Sequence, residues 1–196
     1  MSAPDTKERM LDAAEGIMWT RGFHASGLNE ILGAVGVPKG SFYHWFKSKE
    51  DFGVEMLRHY IAKGTGEKSA LLLESDVNPS PVARILGMLG DGIVEFEEKG
   101  HKCPCLVLKL AFEVADLSEP MREVLARGME KWLEILSTAF RQARELGELS
   151  SGTDPVAEAK LVRDLWAGAV QRATIMKSSE PMVTALAHIR SRLTRV

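Results

Sequence analysis

The chain has 196 residues, of which 45% are hydrophobic and 27% are charged, and its formal net charge is −2. This length is sufficient for a buried core, and we expect one small domain fused to a larger one. No apolar run approaches a membrane span and no signal peptide is evident, so the sequence predicts a cytoplasmic protein with no membrane partner. Residues 1–60 carry seven Lys or Arg against eight Asp or Glu, which excludes a strongly basic amino-terminal segment.

Apolar residues recur with a helical period along nearly the whole chain, whereas runs of Val, Ile and Thr typical of strands are scarce. We therefore predict an all-α fold of about nine helices, of which three are short and amino-terminal. Glycine, proline and capping residues mark the boundaries. They predict helices over 5–21, 26–35 and 38–46, from 48 to the glycines at 64 and 66, from 81 to the break at 100–104, and over 105–115, 118–146, 154–176 and from 178 onward.

The segment from Gly36 to Lys49 is the most informative part of the chain. It combines a tight turn, a short aromatic helix and three lysines, and Glu30 is the only acidic residue between Asn29 and Glu50. This chemistry suits a helix that enters a nucleic-acid groove while phosphates are held at its edges. Because the overall charge is weak, we expect DNA affinity to depend on dimerisation and geometry more than on bulk charge.

Two helices and a turn between residues 26 and 46 have the spacing of a helix-turn-helix. Gly36 suits the left-handed backbone of the turn, and Phe42 and Phe46 are spaced to pack inward. If the aromatics were all core and the lysines only solvated, the Gly-x-Pro-Lys-Gly-Ser pattern would stay unexplained. The predicted DNA-binding residues are Ser26, Pro38, Lys39, Gly40, Ser41, Tyr43, His44 and Lys49. We assign 1–48 to a DNA-binding domain, 49–66 to a connecting helix and 67–196 to a larger helical domain.

Four stretches of this region together resemble the DNA-binding signature of the TetR family. They are Arg21-Gly22-Phe23, the apolar helix with Leu28, Ile31 and Leu32, the run Gly36-Val37-Pro38-Lys39-Gly40-Ser41-Phe42-Tyr43-His44-Trp45-Phe46, and Ser48-Lys49-Glu50. The resemblance implies a homodimeric, all-helical transcriptional repressor that binds a palindromic double-stranded DNA operator. It implies no enzyme activity, catalytic residue, metal or cofactor. The Ser26-Gly27 pair departs from the family pattern, which affects the start of the second helix rather than the fold.

Two cysteines lie two positions apart, and this spacing is poor for a structural disulfide. If Pro104 opens a helix, Cys105 lies in its first turn, where the helix dipole, Lys102 and Lys109 favour a thiolate. The spacing alone leaves two interpretations open: a thiol that reacts with electrophiles, or a small buried hydrophobic residue.

Residues 105–119 resemble the electrophile-sensing branch of the same family, which includes the repressor of N-ethylmaleimide reductase and acrylate-responsive regulators. The resemblance implies that Cys105 senses a small electrophile or oxidant and that its modification releases the operator. In the best-known redox sensor of that branch, a lysine pairs with the cysteine; the matching position here is Thr174, with Lys177 one turn later. This departure counts against a cysteine–lysine bond, whereas alkylation or sulfenic acid formation at Cys105 stays open. Cys103 is an additional sensing candidate that could resolve a sulfenic acid or form an intersubunit disulfide.

Other signals lead to alternative interpretations. His101, Cys103 and Cys105 could bind a soft metal such as Zn²⁺ or Cu⁺, with a further ligand from His59 or His188.

A noncovalent ligand would instead need an apolar pocket. The pocket candidates are Phe96, Leu108, Phe112, Trp132 and Trp166. A thiol enzyme is disfavoured, because no general-base partner for the cysteine is evident at motif spacing.

The helix predicted over 154–176 has an apolar side that could belong to the core of one chain or to a dimer interface, and the resemblance to the TetR family implies an interface formed together with the last helix. Its candidate interface residues are Val162, Trp166, Ala169, Val170 and Ala173. Ala167 and Gly168 permit close approach of a second helix. A two-fold axis would then place two recognition helices at half-sites roughly 34–36 Å apart.

Overall fold

Helices follow one another along the chain in this computed structural model, which describes residues 6–74 and 78–194. Within these ranges there are nine helices and no strand, which confirms the predicted all-α fold. None of the helices in the described ranges is long and apolar enough to span a membrane. The helices are α1 (Thr6–Arg21), α2 (Leu28–Val35), α3 (Lys39–Trp45), α4 (Lys49–Leu73), α5 (Pro81–Glu98), α6 (Leu106–Val114), α7 (Glu119–Glu145), α8 (Pro155–Met176) and α9 (Glu180–Leu193).

Local sequence signals set several of the helix boundaries. Gly22 and Gly36 follow α1 and α2 with φ values of 83° and 66°, a conformation that favours glycine at a helix end. Ser80 and Asp154 precede the prolines that open α5 and α8, and their side chains accept hydrogen bonds from backbone N–H groups of the first turn. Ser48 caps α4 in the same way.

The fourth helix is longer than the sequence predicts. The prediction ended it near residues 64 and 66, where two glycines lower helix propensity. In the structure α4 continues through both glycines to Leu73. Its last turn carries Leu72, which is fully buried in an apolar core, so tertiary packing outweighs the weak local propensity.

The chain folds into two compact units that are interleaved along the sequence. Unit 1 comprises Met1–Lys63, described from residue 6, and Cys105–Gly128. Unit 2 comprises Gly64–Pro104 and Met129–Val196, described within the ranges given above. The predicted division at residues 48 and 66 follows chain order, whereas α6 belongs to the same unit as α1, α2 and α3.

The core of unit 1 includes an aromatic cluster beneath α3. The rings of Phe42, Phe46 and Phe52 lie with their centroids 4.8 to 5.4 Å apart, and all three side chains are buried. The predicted inward orientation of the first two is confirmed. Helix α6 adds one fully buried residue in each turn to the same core. These residues are Leu106, Leu110 and Val114.

The core of unit 2 is built from the end of α4, α5, the later part of α7, α8 and α9. Arg84 is buried beside this core and hydrogen-bonds to three separate segments. Its guanidinium donates to the carbonyls of Leu72 and Asn78 and to Oε1 of Gln142. A single cation therefore joins α4, the segment before α5, and α7.

Candidate DNA interface and thiol site

Helices α2 and α3 form a helix-turn-helix around Gly36. The glycine has φ 66° and ψ 33°, and its N–H donates to the carbonyl of Gly33. Pro38 is the N-cap of α3, which begins at Lys39, so the predicted helix start moves by one residue. The predicted left-handed turn is confirmed.

The short helix α3 has an inner and an outer face. Phe42 is fully buried on the inner face, whereas the Tyr43 side chain is 56% exposed. Of the predicted DNA-binding residues in this segment, one is half-buried and the rest are exposed. The exposed residues are Pro38, Lys39, Gly40, Tyr43 and His44, and the half-buried one is Ser41. The structure thus brings donors and a cation together on one face of a seven-residue helix.

The charge balance around this face is more favourable to an anion than the net charge indicates. Glu30, the acidic residue of α2, pairs with Arg21 at 3.0 Å. Lys39 and Lys47 are both exposed. Since the carboxylate of α2 already has a cationic partner, it offsets little of the positive charge that the two lysines present.

Two predicted DNA-binding residues make contacts inside the protein instead. Ser26 is fully buried, and its hydroxyl donates to the carbonyl of Gly22, so its assignment to the DNA surface is wrong. Lys49 is half-buried; its Nζ donates to the carbonyl of His24 at 3.0 Å and lies 4.9 Å from the centre of the Phe23 ring. The Ser26 hydrogen bond lies within the loop between α1 and α2, residues 22–27, and Lys49 attaches that loop to α4.

Glu113 of α6 holds the same α1–α2 loop. Its carboxylate accepts hydrogen bonds from the backbone N–H groups of Phe23 at 3.0 Å and His24 at 2.6 Å, and the His24 ring Nδ1 lies 3.1 Å away. Burial alone raises the pKa of Glu113, but these N–H groups and the ring outweigh burial, so the pKa lies below its ordinary value. Burial lowers the pKa of Lys49, and the attraction of Glu113 offsets part of that effect.

Sequence reasoning gave Glu113 no role, and the reason is its distance along the chain. It lies 89 positions from His24, so no local pattern connects the two. A carboxylate near the end of a short helix is also common on protein surfaces. Only the tertiary structure brings this side chain to the loop.

Cys105 is the N-cap of α6, because the helix begins at Leu106 and not at Pro104. The cysteine is half-buried. The N–H of Leu106, at the start of the helix, donates to the hydroxyl of Tyr60 in α4 at 3.2 Å. Cys105 therefore lies one residue before the first turn, not within it as predicted, but still at the positive end of the helix dipole.

Lys109 was predicted to add positive potential beside the thiol. In the structure its Nζ donates to the backbone carbonyl of Trp19 in α1. The Trp19 ring also meets the Tyr60 ring edge to face, with centroids 5.8 Å apart. Helix α6 is thus joined to α4 at its start, to α1 at its middle and to the α1–α2 loop at its end.

The loop before α6, which carries Cys103, belongs to unit 2. Gly100 and His101 both have left-handed backbone conformations, with φ values of 66° and 59°. Lys177, at the end of α8, donates from Nζ to the carbonyl of His101 at 3.1 Å. Thr174 instead donates to a carbonyl one turn earlier in α8. The ammonium that reaches this loop is therefore that of Lys177, one turn after Thr174.

The metal alternative is not supported. Among residues 6–74 and 78–194, no group of three or more His, Cys, Asp or Glu side chains is arranged to hold a metal ion. His101, Cys103 and Cys105 therefore do not form the predicted ligand set.

The apolar-pocket prediction is wrong for one of its members. Phe112 in α6 is 85% exposed, because the buried face of this helix is formed by other residues. Leu108, in the same unit, is half-buried. In unit 2, Phe96 is fully buried, whereas Trp132 and Trp166 are half-buried and pack against the core.

The predicted dimer face of α8 is also wrong for four of its five residues. Four of its five residues are buried within unit 2, and Trp166 packs on the same core. The buried four are Val162, Ala169, Val170 and Ala173. The apolar side chains that α8 does expose are different ones. They are Val156, Leu161, Leu165, Ile175 and Met176. Periodicity detects an apolar stripe, but it does not say whether the stripe faces the chain's own core or a second chain.

Comparison with known proteins gives the family context of these features. Residues 10–56 match the bacterial regulatory proteins of the tetR family, and residues 81–189 match the tetracyclin repressor-like C-terminal domain. The HTH-type transcriptional repressor NemR of Escherichia coli (strain K12) is 38% identical over 187 residues, which cover 95% of this chain and 93% of NemR. The transcriptional regulator AcuR of Cereibacter sphaeroides is 32% identical over 163 residues, with coverages of 83% and 73%. The crystal structure of reduced E. coli NemR matches with a TM-score of 0.89 over 96% of each chain.

Replacing Ser26 with alanine should destabilise the protein by about 1–3 kcal/mol, since the buried Gly22 carbonyl loses its hydroxyl donor. The affinity of the folded protein for DNA should change little, because this hydrogen bond lies within the loop and the attachments of the loop to α6 and α4 remain. Ser41→Ala is the matched control on α3, and we expect the opposite result, a weaker complex with little loss of stability. Urea unfolding measures the stability and DNA titration measures the affinity. A weaker complex with unchanged stability for Ser26→Ala would show that Ser26 contacts DNA.

Proposed function

Because this chain belongs to the TetR family of bacterial regulatory proteins, we propose that it binds operator DNA as a homodimer and leaves the DNA when a small electrophile or oxidant reacts with Cys105. It is a transcriptional repressor of the TetR/NemR type. The observation that carries the proposal is the position of Cys105 at the N-cap of α6, the helix that also holds the α1–α2 loop. In this proposal residues 1–48 bind the DNA, and the protein acts in the cytoplasm.

The outer face of α3 supports recognition in the major groove. The Lys39 ammonium can pair with a phosphate, and the Tyr43 hydroxyl and the His44 ring can donate to phosphate oxygens. Gly40 has no side chain, so nucleic acid can approach the backbone closely there. These contacts combine one lysine with several other donors, which fits a complex whose affinity depends on two helices binding together.

The exposed apolar residues of α8 and α9 support dimerisation. Leu161 and Leu165 lie one turn apart on α8, and Val183 of α9 is also exposed. Gly168, further along α8, is exposed and lets a second helix approach closely. A second copy of the chain covers these side chains, and the two-fold axis places the two α3 helices at half-sites about 34–36 Å apart.

The chemistry at Cys105 can be written for an α,β-unsaturated carbonyl compound. The thiolate sulfur adds to the electron-poor carbon of the double bond, so a carbon–sulfur bond forms. The displaced π electrons take up a proton from water at the neighbouring carbon, and no group leaves. The adduct then occupies space beside the hydrogen bond between the Leu106 N–H and the Tyr60 hydroxyl, and the start of α6 moves.

Lys39→Ala should weaken operator binding, and the slope of log affinity against log salt concentration should fall by about one in magnitude, because one phosphate contact is lost. Lys131→Ala removes an exposed lysine of α7 and serves as the control. Fluorescence anisotropy with labelled operator at several salt concentrations measures the slope. An unchanged slope for Lys39→Ala contradicts a phosphate contact at this residue.

Leu165→Glu should convert the dimer into monomers and weaken operator binding, because it buries a charge in the interface. Leu146→Glu makes the same change at an exposed leucine at the end of α7, and it should leave the dimer intact. Sedimentation velocity distinguishes the two states. A dimeric Leu165→Glu variant would place the interface elsewhere.

The reaction at Cys105 is tested by a mobility shift of operator DNA with and without N-ethylmaleimide. We expect the reagent to release DNA from the wild type and from Cys103→Ser, but not from Cys105→Ser. Mass spectrometry confirms which cysteine carries the adduct. If the wild type stays bound with Cys105 fully alkylated, the repressor assignment stands and the thiol is not its sensor.

A further inference from the structure

We propose that Glu113 is the positioning residue that fixes the α1–α2 loop and thereby couples α6 to the DNA-reading helices. The inference rests on the proposed function and names the contact through which α6 acts. Glu113 does not touch DNA in this proposal. It determines where the helix-turn-helix starts by holding the residues that immediately precede α2.

The Glu113 carboxylate packs closely against Gly22, the residue that follows α1. Gly22 follows that helix with φ 83°, and a Cβ at this position would lie 2.5 Å from Oε2 of Glu113. The absence of a side chain therefore serves both the left-handed backbone and the close approach of the carboxylate. Its two oxygens then accept from two successive backbone N–H groups, those of Phe23 and His24.

A second group of contacts holds the loop from α4. Lys49 donates to the His24 carbonyl and lies over the Phe23 ring. The next residue, Glu50, accepts a hydrogen bond at 2.6 Å from the hydroxyl of Ser118, just before α7. The α1–α2 loop is thus fastened to α4 through Lys49 and to α6 through Glu113. Movement of α6 relative to α4 breaks or distorts one of these attachments.

Helix α6 is short enough to carry a displacement along its length. It has nine residues, so it is about 13 Å long. Cys105 precedes its first residue, and Glu113 lies in its last turn. A shift of the start of the helix caused by an adduct therefore reaches Glu113 without passing through any loop.

The test compares Glu113→Gln with Asp116→Asn, a control that removes one negative charge from the turn after α6. Glutamine keeps the shape of the side chain but presents an NH₂ group to one of the two loop N–H groups. We expect Glu113→Gln to bind operator about tenfold more weakly than the wild type. Losing negative charge by itself favours DNA binding, so a decrease confined to Glu113→Gln does not come from charge.

The second quantity measured is the ratio of operator affinities before and after alkylation of Cys105. If Glu113 couples α6 to the loop, this ratio should be large in the wild type and in Asp116→Asn, and close to one in Glu113→Gln. A purely structural role would lower the affinity and leave the ratio unchanged, which would overturn the inference. Wild-type affinity for Glu113→Gln would overturn it as well.

Hydrogen exchange on the wild-type protein tests the inference without any variant. Alkylation of Cys105 should speed exchange of the Phe23 and His24 amides, because their acceptor moves away. Unchanged exchange at both amides in a protein that has released its DNA would overturn the inference while the proposed function stands. If alkylation does not release DNA at all, the sensing step of the proposed function fails, and the operator affinity of Glu113→Gln alone decides the positioning role.

Discussion

Hydrogen bonds between the Glu113 carboxylate and the backbone of the α1–α2 loop attach α6 to the helix-turn-helix. They attach α6 to a loop that lies far from it in the sequence, within the same compact unit. The same helix begins directly after Cys105. Because Cys105 directly precedes α6 and Glu113 lies in its last turn, we propose that chemistry at the cysteine changes the position of the helices that bind DNA.

Apolar contacts stabilise the packing of α6, and polar contacts define its position. The buried side chains of Leu106, Leu110 and Val114 contribute most of the stabilisation, at about 25 cal/mol for each Å² of apolar surface removed from water. Apolar burial is not directional, so it tolerates small shifts. The contacts of Lys109 with α1 and of Glu113 with the loop are directional and define the position. We therefore expect a shift of α6 to change the DNA-binding geometry more than it changes the stability of the fold.

Local sequence patterns predicted the parts of the structure that depend on neighbouring residues. The left-handed turn at Gly36, the inward packing of Phe42 and Phe46, and the proline-led starts of α5 and α8 all follow from residues close in the chain. Ser26 was misassigned because a polar side chain near a recognition helix can contact DNA or the protein itself, and composition does not separate the two. The α8 face was misassigned for a related reason: helical periodicity is the same for an intramolecular core and an interface. Pairings such as that of Glu113 with the α1–α2 loop carry no local signal and need the tertiary structure.

The central claim is that modification of Cys105 and operator binding are coupled through α6. Coupling between two binding equilibria is reciprocal, so it can be measured from the thiol side. The measurement is the affinity of Cys105 for an unsaturated carbonyl compound that adds reversibly, with and without saturating operator DNA. Coupling requires operator to weaken adduct formation by the same factor by which the adduct weakens operator binding. Equal affinity in the two conditions, for a protein that still binds both the compound and the DNA, would contradict the claim.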